Sequence, residues 1–200
     1  MDWNEISVRK YYDILEILRD ETDPVNLNVR LIDTIWDINS ADIPVAKFSY
    51  YMNELKFLQT PYKPLSPKKY YTVEGKDFCT TMDVSKITTA QYIDFQALAK
   101  KEDHKNILNI LFIEKDKEYG DADNSELLWE KLPMTAYSDC LFFFLRLLNK
   151  LTKDTLRSSL NQMKKMYRKE KNEEKKKEMM EQMVNLKLVL SQVNEDGWSE

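Results

Sequence analysis

Lys86-Ile-Thr-Thr-Ala-Gln-Tyr-Ile-Asp-Phe-Gln-Ala-Leu98 is followed, after a polar break, by Asn106-Ile-Leu-Asn-Ile-Leu-Phe-Ile113. The first half carries the clearest helix start in the chain. Thr88 is placed to cap it, and Gln91 three residues on completes a capping box. Tyr92, Phe95 (or Gln96) and Leu98 or Ala99 predict its apolar face. The second half fits a buried strand or a short helix, and periodicity does not separate the two. The stretch from Lys86 to Tyr119 is expected to be the structural hub.

The rest of the chain reads as helix around it. Three glycines in 200 residues are too few for phosphate loops or β-meanders. Hydrophobic content is 42% and charged content 32%, so a real core meets a highly charged surface. Helix is predicted over residues 4–20, with Val8, Tyr11 or Tyr12, Leu15 and Leu18 inward. Asp23 before Pro24 predicts an N-cap and first helical position. That helix runs to about residue 38 with Leu27, Leu31, Ile35 and Trp36 on one stripe. Asn39-Ser-Ala-Asp-Ile-Pro44 repeats the device before a third helix, with Val45, Phe48, Met52 and Leu55 inward. Pro61, Pro64 and Pro67 then break regular structure.

Tyr70-Tyr-Thr-Val73 and Asp77-Phe-Cys-Thr-Thr-Met82 flank Glu74-Gly75, which predicts a β-hairpin. Two strands alone are marginal, so the hairpin needs helices beneath it or a third strand. Asn124 or Ser125 opens a short helix with Leu127, Leu128 and Trp129, ended by Pro133. Ala136 to Leu151 is the most hydrophobic helix. From Lys153 the spacing changes. Leu156, Leu160, Met163 and Tyr167 form one heptad seam, and Met179, Met183, Leu186, Leu190 and Val193 form another. Arg168 to Glu178 between them has no apolar residue. Either one helix of about 40 residues, spanning about 60 Å, or a hairpin turning near Lys171-Asn-Glu-Glu174 fits; a hairpin or bent helix is favoured. The fold class is therefore mainly α. A helical globular domain over 1–150 carries a β-hairpin near 70–82. A charged heptad segment over 151–195 and a terminal tail over 196–200 follow.

Charge is uneven. Residues 1–60 hold eleven acids and six bases, and residues 150–178 hold eleven bases and five acids. Glu170, Glu173, Glu174 and Glu178 interrupt the basic run, which weakens a nucleic-acid reading. Cys79 and Cys140 form no disulfide framework or metal motif and are read as reduced thiols. No apolar run is long enough to span a membrane. The acidic N-terminus does not read as a signal peptide, so a soluble cytoplasmic protein is expected.

Candidate chemistry is sparse. His104, the one histidine, lies in a polar break and reads as exposed linker rather than as a catalytic base. Asp94, inside Tyr-Ile-Asp-Phe, reads as a structural or partner-facing carboxylate. Asp116, Asp121 and Asp123 lack the spacing of a calcium loop. No catalytic, cofactor or metal residue is assigned, and the chain is not expected to be an enzyme. Trp3, Trp36 and Trp129 read as core. Trp198, after Gly197, reads as a docking residue or a frayed end. Met179, Met183, Leu186, Leu190, Val193 and Trp198 are the candidate partner-binding residues.

Several segments together carry a family resemblance. They are Ile6-Ser-Val-Arg-Lys-Tyr-Tyr-Asp-Ile-Leu, Leu31-Ile-Asp, Ile43-Pro-Val45, Glu54-Leu-Lys-Phe-Leu58, Tyr70, Gly75-Lys-Asp-Phe78, Asp83 to Phe95, and Ile110 to Tyr119. They resemble a family of small proteins of tailed phages of Bacteroidota, including crAss-like phages, over about residues 5–120. The resemblance implies a non-enzymatic protein of the virion or its assembly: a tail-assembly-chaperone-like factor or a head- or tail-associated cargo protein. Its partners would be other virion or tail proteins, with self-association through the C-terminal heptads. It would reside in the host cytoplasm during assembly and then in the virion. A ring or connector subunit, or a nucleic-acid-binding module using the basic C-terminal helix, is the alternative. The heptad tail lies outside the resemblance.

Overall fold

The computed structural model describes residues 1–80 and 86–195. It is mainly helical with a small three-stranded antiparallel sheet. The chain forms two compact units, Met1–Phe143 and Phe144–Glu200. The helices are α1 (Val8–Asp20), α2 (Pro24–Trp36), α3 (Val45–Glu54), α4 (Thr89–Ala99), α5 (His104–Leu111), α6 (Ser125–Lys131), α7 (Met134–Lys169) and α8 (Glu173–Glu195); the strands are β1 (Tyr70–Val73), β2 (Lys76–Thr80) and β3 (Phe112–Glu114).

In the first unit, α1 begins after a 3-10 turn at Trp3–Glu5 and is capped by Ser7. It buries Val8, Ile14 and Ile17, whereas Leu15 and Leu18 are exposed at 41% and 47%. This corrects the predicted face. The helix is apolar on more than one side and meets both α2 and α6. The positions of those neighbours, and not the periodicity, choose which stripe is covered. The α1–α2 side of the core is Ile6, Ile14 and Ile17 against Leu31, Ile32 and Ile35, with Leu55 and Met134.

The Asp23 carboxylate caps α2 at Val25 and Asn26, with Pro24 at the first position, as the sequence predicts. At the other end Asp37 takes a left-handed conformation, φ 52°. Lys10 Nζ reaches across to donate to the Ile35 carbonyl at 2.7 Å and to Asp37 Oδ2 at 2.6 Å, so a cation covers the negative helix terminus. The device is not repeated at Pro44. Pro44 is itself the cap of α3 and makes no side-chain cap bond, while Asp42 closes a 3-10 turn. Val45, expected inward, is 82% exposed.

β1 and β2 form the predicted hairpin around Glu74 and Gly75, whose φ values are 48° and 78°. Positive φ at both central residues matches the right-handed strand twist, and Gly75 adopts it without strain. The third strand is β3, antiparallel to β2 with Cys79 opposite Ile113. Met82, expected to extend the hairpin, lies outside the described residues. The two halves of the Lys86–Tyr119 stretch differ. In α4 the Thr88–Gln91 capping box forms, but only Gln91 and Phe95 are buried, and Tyr92 and Ile93 are 38% and 58% exposed. Gln91 can be buried because its side chain accepts the Thr88 N–H at 2.9 Å. The hub is instead α5 and β3. Ile107, Leu108, Ile110, Leu111 and Phe112 are all buried, helix turning into strand at Phe112.

The unit closes on itself through backbone bonds. Val8 N–H donates to the Leu132 carbonyl at 2.9 Å and Met134 N–H to the Ile6 carbonyl at 2.8 Å. The proline segment is pinned rather than loose. Buried Asp139 accepts the Tyr62 hydroxyl at 2.9 Å and the Leu65 N–H at 2.6 Å.

In the second unit α7 continues without interruption to Lys169, and the helix breaks at residues 170–172. Asn172 restarts it. Its Oδ1 accepts from Glu174 and Lys175 N–H at 2.9 and 3.2 Å, the geometry of an N-cap. Among the described residues, no helix is long and apolar enough to cross a membrane.

Candidate functional site

His104 is not an exposed linker. It is the first residue of α5, behind an N-cap in which Asp103 accepts the Asn106 N–H. Its ring stacks on Tyr12 at 4.5 Å, and Tyr12 stacks in turn on Trp129 at 5.3 Å. Its Nδ1 stands 2.8 Å from the hydroxyl of buried Tyr137. Four elements, α1, α5, α6 and α7, thus meet at one aromatic stack. Burial lowers the His104 pKa, against the opposing pull of Glu102 and Asp103. A neutral ring lets the Tyr137 hydroxyl donate to Nδ1. Burial raises Tyr12 to about 12 and pushes Tyr137 up as well. Burial thus favours the neutral form of each titratable group in the cluster.

A polar cleft of about 630 Å³ lies between the start of α1, the end of α2 and the end of α6. Four of its charged side chains are engaged with each other in pairs. Arg9 donates two hydrogen bonds to the Glu130 carboxylate and also faces Asp13 at 3.5 Å, and Lys10 is held by Asp37. A second depression of about 440 Å³ contains Asp94. That carboxylate accepts the Tyr119 hydroxyl at 2.7 Å. Burial, with Asp94 beside it, raises Tyr119 to about 12. Asp94 therefore ties the 114–123 loop to α4.

The short helix α6 opens at Ser125 behind Asn124, as the sequence predicts, and Asp123 at the end of the same loop holds its first residue. Asp123 accepts the Ser125 N–H and hydroxyl and the Asn109 amide, and these bonds hold its pKa down to about 2. Asp121 accepts the Glu118 N–H at 2.8 Å. Cys140 is buried and Cys79 partly so, both unpaired by disulfide; burial raises Cys140 to about 12. Trp3, Trp36 and Trp129 are all partly buried.

Of the candidate partner-binding residues, Met179, Met183, Leu186 and Leu190 lie on one stripe of α8, and each is half-buried. The matching seam on α7 is also its covered stripe, with Leu160 buried and Leu156, Met163 and Tyr167 half-buried. Val193 continues the α8 backbone, but its side chain lies outside the described residues, as does Trp198. The His104 stack was not visible in spacing, because its members come from four separate elements. Asp139 did leave a signal, a lone carboxylate in Tyr137-Ser-Asp-Cys-Leu-Phe-Phe. No family model, no curated protein and no solved structure matches the chain.

Proposed function

We propose that the chain is a non-enzymatic protein that works by binding other proteins, with residues beyond Thr152 as the contact element. The observation that carries this reading is the pair of matched seams. From Asp154 to Ser191, every covered apolar residue lies on one of two heptad stripes, and an Asn-capped break separates them. In this reading α7 and α8 form an antiparallel hairpin. Leu156 faces Leu186, Leu160 faces Met183, Met163 faces Met179 and Tyr167 faces Lys176. Support for the last rung comes from Lys176. Its pKa is raised first by Glu173, and Tyr167 and Glu170 are among the further groups that raise it. The seams are then occupied within the chain, and partners meet the outer rows.

The phage resemblance supplies the setting: a virion cargo or assembly factor, contacting other virion or tail proteins. Support for a binding role over a chemical one is that Arg9 and Glu130, and Lys10 and Asp37, in the first unit's cleft are engaged with each other. The test is quantitative mass spectrometry of purified particles made with the full chain and with residues 153–200 deleted. The full chain is expected in particles and the deletion variant absent, although the fluorescence of Trp3, Trp36 and Trp129 in the variant remains that of the folded first unit. Absence of the full chain from particles would leave the assembly-factor role. Loss of the fold on deletion would overturn the assignment of contacts to this segment.

A further inference from the structure

Beside each seam lies a second row, one residue further along. On α7 it is Arg157, Asn161, Lys164 and Arg168; on α8 it is Lys177, Met180, Val184, Lys187 and Ser191. All of these residues are exposed. A step of one residue turns about 100° round a helix. In an antiparallel hairpin whose seams face each other, both rows therefore come to the same flank. This placement rests on the hairpin reading above.

The flank has a pattern. Neither row contains an acid. By the rung order of the seams, Arg168 stands beside Lys177 at one end and Arg157 beside Lys187 at the other. Lys164 and Asn161 stand beside Met180 and Val184 in the middle, and those two apolar side chains are 53% and 58% exposed. Among the described residues, the only carboxylate paired with any of these cations is Asp154, 3.9 Å from Arg157. The opposite flank, one residue before each seam, differs. It carries Thr155, Ser159, Gln162 and Met166 with Lys175, Glu178, Gln182, Asn185 and Val189, one base balanced by one acid.

Like charges side by side work against the hairpin that holds them. An uncovered Met–Val pair between them gains nothing from water. One kind of partner relieves both. It has an apolar stripe for Met180 and Val184 and carboxylates for the cation pairs at each end. The rows from Arg157 to Arg168 extend about 17 Å, or three turns. We infer that this flank is a docking surface for an acidic amphipathic helix of a partner protein, lying along the groove between α7 and α8. A nucleic-acid backbone would use the cations but leave the apolar centre bare.

The test uses the full chain and a fluorescein-labelled 18-residue helical peptide with a leucine stripe flanked by glutamates. A peptide of the same composition with the leucines scrambled, and a short DNA duplex, are the competitors. The amphipathic peptide is expected to bind, and more weakly as salt rises. Lys164→Glu with Arg168→Glu should weaken it at least about tenfold, as should Val184→Asp, whereas Lys175→Glu on the other flank should not. Equal binding of the scrambled peptide, tighter binding of the duplex, or no binding overturns the inference. Self-association of the chain that is abolished by Val184→Asp would also overturn it. A Leu156→Cys/Leu186→Cys pair, with the bridge mapped by peptide mass, separates the two readings. If the bridge forms and the peptide does not bind, the docking surface alone fails. If the bridge cannot form, the hairpin fails and takes the docking surface with it.

Discussion

In Met1–Phe143, side-chain bonds reach far along the chain. Thr135 Oγ1 donates to Asn4 Oδ1 over 131 residues, Arg9 holds Glu130 over 121, and Tyr62 meets Asp139 over 77. From Leu147 to Ser191, among the described residues, every side-chain hydrogen bond and ion pair closes within three residues. The first unit is thus fixed by non-local polar and apolar contacts together, and no segment of it holds its place alone. The second has local helix chemistry plus two apolar seams. A region built in the second way specifies helix firmly and its partner weakly, because a heptad seam accepts any complementary seam. That is the kind of region in which a binding function can reside without disturbing a core.

The largest effect that would sharpen this contrast is in the hub. Leu108 is 0% exposed, and Leu108→Ala should lower stability by about 2–5 kcal/mol. Urea unfolding followed by tryptophan fluorescence measures it, with Trp198→Phe in the background so that Trp3, Trp36 and Trp129 report the first unit alone. Leu160→Asp buries a charge in the middle of a seam. It should remove helical circular dichroism without moving that fluorescence midpoint, and a matching shift of both signals would break the contrast.

Asp139→Ala should cost about 1–3 kcal/mol by stranding the Leu65 N–H and the Tyr62 hydroxyl. The same variant should expose residues 61–67 to protease, and unchanged cleavage there would show that the carboxylate does not pin the segment.

The pH dependence comes from His104. Its folded pKa lies below the ordinary 6.5 because burial disfavours the cation. The unfolded chain therefore takes up the proton first. The stability contributed by the neutral ring is present above pH 6.5, declines as pH falls through it, and levels off below the folded pKa. Urea midpoints at a series of pH values, compared with those of His104→Gln, measure this. As the one histidine in the chain, His104 also gives an unambiguous NMR titration. Smallest of all, Asn172→Ala removes the cap of α8 and should cost about 1 kcal/mol of helix stability, read as fraying of its first turn by amide exchange.

Local chemistry in the sequence determined the caps at Thr88 and Asp23, the Glu74–Gly75 turn, the helical class and the two seams. Each depends on residues within a few positions of one another, whose preferred φ and hydrogen bonds are intrinsic. The tertiary structure decided which face of α1 is buried, since two apolar stripes compete and only the neighbours α2 and α6 arbitrate. It also decided that the hub is α5 and β3 rather than α4. Tyr92 and Ile93 are apolar enough to be core, but the structure leaves them exposed. His104 shows the same limit from the other side. A polar break in sequence became the centre of an aromatic stack, because Tyr12, Trp129 and Tyr137 arrive there from three other elements.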